Sequence, residues 1–269
     1  MRIGILFLLP LWLWALSLQP LAAPGGVALI ELGIYDERPK AFLGDRPLRL
    51  ERLPDGQYAA LVGIDLSASS REAQAVRVIE RSGTQSLIAF SVHERDYPSQ
   101  YITIDAESYV HPSQEQLDRI AKERKRMEAA YARFSPEAIA PLAFKQPVGG
   151  RISGAFGLHR YFNGEPRNRH NGLDIAAPRH TPIGAPQKAE VIKTDDLFFC
   201  GKMVLLDHGQ GLLTLYCHLE SIAVRAGDRV DQGEVIGTVG SSGRATGPHL
   251  HWGVRLNGVW VDPTLLVAR

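Results

Sequence analysis

The chain has 269 residues, long for a single small core and comfortable for two domains, and its 45% hydrophobic and 22% charged content is ordinary for a globular protein. Thirty Lys and Arg nearly cancel 29 Asp and Glu, so no strong basic field invites a nucleic-acid partner.

Residues 1–23 read as a secretory signal peptide. Arg2 supplies the positive charge, an apolar run follows to Leu16, and Pro20-Leu21-Ala22-Ala23 ends it. The apolar run is shorter than the ~20 residues of a membrane span, and Pro10 and Pro20 suit a spanning helix badly. The expectation is export to the periplasm or the exterior, with no stable membrane insertion after cleavage.

From residue 24 to 110 the chain carries short β-rich runs, at Val27–Leu32, Leu48–Leu53, Tyr58–Ile64, Val76–Glu80, Ser86–Val92 and Gln100–Ile104. Turn residues such as Pro54-Asp55-Gly56 and Ser82-Gly83 separate them. This spacing predicts a small antiparallel β-sandwich of immunoglobulin-like type. Its lone His93 is read as a surface or satisfied residue rather than a ligand.

Residues 111–146 form a predicted connector. Ser113 and Gln116 are spaced as a capping box, in which the hydroxyl accepts from the third amide and the Gln side chain reaches back. Leu117, Ile120, Met127, Tyr131 and Phe134 recur at helical spacing behind it. Lys122-Glu123-Arg124-Lys125-Arg126 is read as the solvated face of that helix, and Ser135-Pro136 ends it. His111 belongs to this connector.

Residues 147–269 are rich in Gly and predicted to be antiparallel β with long loops. The clearest strands are Val204–Asp207, Leu212–His218, Val235–Val239 and Leu250–Leu256. A hairpin turning at Gly209-Gln210 brings Cys200 and Cys217 onto neighbouring strands, where an oxidising compartment would let them pair, with two buried thiols as the alternative.

Of nine histidines, all but His93 and His111 lie between His159 and His251. His170-Asn171-Gly172-Leu173-Asp174 spaces an imidazole and a carboxylate four apart. A fully extended strand would hold their Cα atoms about 13 Å apart, too far to share one ion, so the chain must turn. Asn171-Gly172 is expected to supply that turn through the positive φ that Gly accepts freely. His249-Leu250-His251 places two imidazoles on one face of a strand, about 7 Å apart at Cα, with Leu250 and Trp252 facing a core. One of the pair can bind a metal while the other stands beside the open position; spacing alone leaves open which. Three protein ligands and one water make the layout of catalytic rather than structural zinc. His218 ends an apolar strand and is a candidate acid or base.

Together these elements resemble the lysostaphin-type, or LytM-like, zinc peptidases. The resemblance is carried by His170-Asn171-Gly172-Leu173-Asp174-Ile175-Ala176, Tyr216-Cys217-His218-Leu219, Val224-Arg225-Ala226-Gly227-Asp228-Arg229-Val230 and Thr246-Gly247-Pro248-His249-Leu250-His251-Trp252, and spans about Pro147 to Pro263. It implies one Zn2+ held by His170, Asp174 and His251. It also implies that His218 and His249 handle the water and the developing oxyanion, and that the substrate is a peptidoglycan peptide. The front half looks like the β-rich domain that accompanies some exported members. His159 stands where relatives often have Arg and is a candidate for a substrate-side contact. His180 and His208 are read as loop and turn residues. Two other readings are carried forward: an inactive relative that binds the wall and activates another hydrolase, and a lipoyl- or biotinyl-type carrier with Lys202 as the modified residue. The front domain and helix are expected to cover or position the groove.

Overall fold

The computed structural model describes residues 18–268. The first 17 residues of the expected signal peptide lie outside that range. Its final residues lie within it: Leu18 and Ala23 are buried, and the Gln19 amide donates to the Leu265 carbonyl. Among the described residues no helix is long and apolar enough to cross a membrane.

The front half holds strands β1 (Val27–Gly33), β2 (Lys40–Leu43), β3 (Arg46–Pro47), β4 (Arg49–Arg52), β5 (Tyr58–Gly63), β6 (Gln74–Ile79), β7 (Gln85–Phe90) and β8 (Ser99–Ile102). Two antiparallel sheets, ordered β1-β5-β4 and β3-β2-β6-β7, share one core that includes Ala28, Ala60, Val62, Ala41, Val76 and Val78. These sheets make the antiparallel β-sandwich of the front half.

Strand β5, Tyr-Ala-Ala-Leu-Val-Gly, reads as a continuous apolar run because both its faces are covered. Ala60 and Val62 point into the sandwich, while Leu61 and Val27 of β1 join the core of the rear half. At Gly63 the halves touch main chain to main chain: a Cβ there would lie 2.7 Å from the Leu256 carbonyl oxygen. Arg49, fully buried, crosses the same junction and donates to the carbonyls of His208, Gly209 and Ala140 while its Nε meets Glu51.

One expected sandwich strand belongs elsewhere. The Gln100–Ile104 run forms β8, which pairs in parallel with a strand of the rear half, Tyr101 opposite Tyr161. Parallel pairing between segments sixty residues apart leaves no hairpin signal in the sequence.

Helix α1 spans Gln114–Tyr131 with Ser113 as its cap, and both arms of the capping box are made. Met127 is buried against Leu197, Met203, Leu205 and Leu213, with Ala130 and Tyr131 beside it, whereas Leu117 remains 46% exposed. The charged run is only partly solvated, which corrects the sequence reading. Glu123 is buried, takes the Phe198 amide at 2.9 Å and pairs with Arg119, and Arg126 reaches Asp195. The amphipathic stripe is therefore weak because the docking face is itself partly ionic.

The rear half comprises β9 (Arg151–Gly154), β10 (His159–Phe162), β11 (Glu165–Pro166), β12 (Leu173–Ala176), β13 (Pro182–Gly184), β14 (Ala189–Leu197), β15 (Gly201–Asp207), β16 (Leu212–Ile222), β17 (Arg229–Val230), β18 (Val235–Val239), β19 (His249–Leu256) and β20 (Val259–Val261). Its main sheet has ten strands, with the path β17-β14-β15-β16-β19-β12-β9 and with β13, β18 and β20 attached to its side. All pairings in it are antiparallel. The β15–β16 hairpin sets Val204 opposite Tyr216, and Cys200 and Cys217 at its far end are joined by a disulfide.

Candidate metal centre

The centre of the sheet brings three separated segments together. Strand β12 lies between β9 and β19 and sets Asp174 directly opposite His251. The other face of β19 is anchored by Leu250 and Trp252, both fully buried, so the His249 and His251 side is fixed by core packing. His170 enters from the loop before β12, tied down by its amide to the Leu158 carbonyl.

The turn at Asn171-Gly172 is made without the expected positive φ; neither residue is in that region. Gly172 is required for space instead, since a Cβ there would lie 2.6 Å from Cε1 of His251. At Gly154 on β9, a Cβ would lie 2.6 Å from Oδ2 of Asp174. Two glycines thus hollow out the ground on which the side chains meet.

His170 Nε2, Asp174 Oδ1 and His251 Nδ1 converge. The separations are 3.0 Å from His170 to Asp174, 2.8 Å from His251 to Asp174 and 3.1 Å between the imidazole nitrogens. All three residues are buried, and together they form a His/Asp/His group able to hold a metal ion. The donor chemistry fits a cation. His170 Nδ1 lies 2.6 Å from the Ala155 carbonyl oxygen, which can only accept, so Nδ1 carries the proton and Nε2 presents a lone pair to the cluster. A lone pair facing a carboxylate oxygen at this range is repulsive unless a proton or a metal lies between them.

Charge in the cluster is strongly biased. Burial opposes ionisation of Asp174, but the close contacts with His170 and His251 outweigh it and hold the carboxyl well below its ordinary range. Burial pushes His170 down to about 4 despite the pull of Asp174. Arg160 also bonds Asp174, at the oxygen turned away from His251.

His218 and His249 flank the cluster, their ring centroids 4.7 Å apart and His218 6.2 Å from His251. His218 Nδ1 faces the Ser242 carbonyl at 2.8 Å and His249 Nδ1 the Gly247 carbonyl at 2.8 Å, so in the neutral form of each ring the Nδ1 bears the proton and Nε2 is the bare nitrogen. Burial, then the neighbouring His249 and His251, push His218 down to about 3. The backbone at His218 is left-handed, with φ 64°, and its amide donates to the Cys200 carbonyl. The structure therefore gathers all five of the expected site residues.

The remaining histidines lie apart. His159 sits on β10 opposite Ser99 and does not line the cavity described next. His180 is an exposed loop residue with positive φ, and His111 contacts Glu107 and Glu165 beside the connector. His208 is at a turn as expected, yet fully buried and bonded to the Lys188 carbonyl and Thr214. Lys202 is held by the Glu220 carbonyl on a strand rather than presented at a hairpin tip.

A cavity of about 460 Å³ opens beside His170, His218 and His251. Its wall includes Tyr109 from the end of the front domain, Tyr131 from the connector helix, and Arg160, Arg167 and Arg244 from the rear half. The arginines escaped the sequence reading because surface arginines are common. The available signal was Arg244 in a Gly-flanked loop three residues ahead of Gly247-Pro248-His249.

Both halves of the chain are similar to known proteins. The family model "Peptidase family M23" matches residues 168–263, and "Peptidase family M23 N-terminal domain" matches residues 21–95. The DD-carboxypeptidase/endopeptidase Mpg of Neisseria meningitidis is 41% identical over 125 residues, 46% of this chain and 28% of that protein. The peptidoglycan DD-endopeptidase ShyC of Vibrio cholerae is 43% identical over 94 residues, 35% of this chain and 22% of that protein. The matched region thus spans only about a quarter of the length of these relatives. A solved structure of a Pseudomonas aeruginosa protein assigned to peptidase M23 superposes with a TM-score of 0.77 at 38% identity, covering 92% of this chain and 95% of that one. With both halves matched, and a neighbour alike over nearly its whole length, the chain belongs to peptidase family M23.

Proposed function

We propose that the chain is a zinc-dependent endopeptidase that hydrolyses peptide cross-bridges or stem peptides of peptidoglycan outside the cytoplasm. In this reading residues 147–269 form the catalytic domain, residues 24–110 the front domain and residues 111–146 the connector. His170, Asp174 and His251 hold one Zn2+. The observation that carries the reading is the meeting of His170 Nε2, Asp174 Oδ1 and His251 Nδ1 within 3.1 Å of one another, next to two further imidazoles.

A zinc ion in that position supplies Lewis acidity to the scissile carbonyl and makes a water acidic enough to attack near neutral pH. The chain's own residues do the rest. Ala155 fixes the His170 tautomer, and Arg160 orients Asp174. His218 and His249, with their Nδ1 protons committed to carbonyls, each offer a bare Nε2 that can take the proton of the attacking water. The protonated ring then hydrogen-bonds the charge developing on the carbonyl oxygen or returns the proton to the leaving amine. Burial keeps His218 neutral and ready as an acceptor.

Support for the substrate comes from relatives named as peptidoglycan DD-endopeptidases. Support for export comes from the N-terminal sequence and from the disulfide. The test is zinc content and sacculus digestion, with and without a chelator, for the protein and for His170→Ala and His251→Ala. Both variants should lose the metal and all digestion. Digestion retained in both, or by the chelated protein, would overturn the reading, and metal binding without any digestion would favour the wall-binding activator.

A further inference from the structure

The cavity beside the metal cluster carries more positive charge than its acidic groups offset. Arg244 lies between two rings, its guanidinium carbon 4.6 Å from the centroid of Phe162 and 4.3 Å from that of Phe199. Its loop is pinned by the Arg244 amide to the Phe199 carbonyl. The guanidinium carbon packs over both rings, which cannot accept from its N–H groups as a carboxylate does, and so leaves them for a partner. Among the described residues these N–H groups meet only the Tyr109 carbonyl, at 3.4 Å, and no carboxylate pairs with them. Arg167 donates to the Val110 carbonyl at 3.1 Å and shares Glu165 with His111. Arg160 is committed to Asp174 through one nitrogen, and its buried Nε has no partner among the described residues.

Three guanidiniums thus converge where Asp174 is engaged by the imidazoles and Glu165 is shared. Burial, followed by repulsion from Arg160 and Arg167, pushes Arg244 down to about 10. The neutral main-chain carbonyls of Tyr109 and Val110 are poor partners for such a group, since a carboxylate makes a charge-assisted and often bidentate bond of about twice the strength.

We propose that Arg244, with Arg167 beside it, is a specificity-determining subsite that binds a free carboxylate of the substrate peptide next to the bond to be cut, displacing the carbonyls of Tyr109 and Val110. The inference rests on the peptidase reading and narrows its substrate class to anionic wall peptides. Cross-links made through the side chain of a diamino dicarboxylic acid carry two such groups. One is the carboxylate on the carbon that bears the scissile amide nitrogen, and the other is the carboxylate of a terminal alanine. Both have the chemistry the fork recognises.

The test is calorimetric binding to the full metal-loaded chain of one synthetic cross-linked peptide dimer in three forms: both carboxylates free, the scissile-side carboxylate amidated, and the terminal carboxylate amidated. One amidation should weaken binding at least tenfold, and which one does so identifies the source. In Arg244→Gln that difference should vanish, and in Arg167→Gln it should shrink about threefold. Three forms that bind the unaltered protein within twofold of one another, no binding of the free form, or a preference that survives Arg244→Gln would overturn the subsite. The unaltered protein decides the matter even if Arg244→Gln does not fold. Carboxylate-dependent binding without hydrolysis would remove the peptidase reading and leave the subsite; equal hydrolysis of all three forms would do the reverse.

Discussion

Gly172 and His251 approach so closely that a single added methyl on the glycine would sit 2.6 Å from Cε1 and 2.7 Å from Nε2 of the imidazole. Because Gly172 does not occupy the left-handed region, alanine is tolerated by its backbone, and the substitution tests space alone. Gly172→Ala should keep the fold by circular dichroism yet weaken zinc binding ten- to a hundred-fold, roughly the cost of disturbing the support of a metal ligand. Competition with a chromophoric chelator measures it; unchanged affinity would show that His251 moves aside freely.

His208 should make the fold acid-sensitive. Burial, offset in part by the Lys188 carbonyl, pushes it down to about 3, whereas an unfolded His titrates near 6.5. Between those values the unfolded chain binds the extra proton, so stability is fully present above about pH 6.5 and falls as the pH drops toward 3. The slope from this one group is about 1.4 kcal/mol per pH unit. His208→Gln keeps an acceptor and a donor without a titrating proton, so its urea midpoint should fall less steeply between pH 6 and pH 4. Parallel slopes for the two proteins would contradict the assignment.

Removing the Cys200–Cys217 bridge should cost both stability and order at the site. A loop of 17 residues corresponds to about 3 kcal/mol in the chain-entropy account of cross-linking. The Cys200 carbonyl also receives the His218 amide, so the same loop holds a proposed catalytic ring. Cys200→Ser with Cys217→Ser should lower the melting temperature and reduce kcat more than it changes KM. Alkylation of the unreduced protein should label no thiol.

Arg49 should be among the costliest side chains to remove outside the site. Arg49→Met leaves the carbonyls of His208, Gly209 and Ala140 without this donor at a buried junction, a loss of about 3 kcal/mol. Chemical denaturation of the purified full chain provides the measurement, and a change below about 0.5 kcal/mol would mean that water replaces the guanidinium.

Much of the site was legible because its chemistry is local in the sequence. His170 and Asp174 lie four apart, His249 and His251 two apart, and a turn and a strand bring each pair together. The capping box at Ser113 and Gln116 is likewise complete within four residues. What stayed hidden is what depends on distant neighbours. The positive-φ role expected of Gly172 was wrong because its constraint is the His251 ring, 79 residues away in the chain. Glu123 reads as a solvated charge in the sequence because its partner, the Phe198 amide, is on a different element. Arg244 gave no sign of its two aromatic neighbours, since Phe162 and Phe199 come from separate loops and strands. The Ser99–Ile102 strand was foreseen as a strand but not with its partner, because nothing in its residues records which edge it will join.

That graft of Ser99–Ile102 onto His159–Phe162 bears on how the rear half can be moved between proteins. A fragment cut ahead of residue 144 would present the outer edge of His159–Phe162 with its amides and carbonyls bare, a template for a stray chain. Engineered chimaeras that transplant this half should therefore carry the four-residue strand along, or cap the vacated edge with proline or lysine, to remain monodisperse.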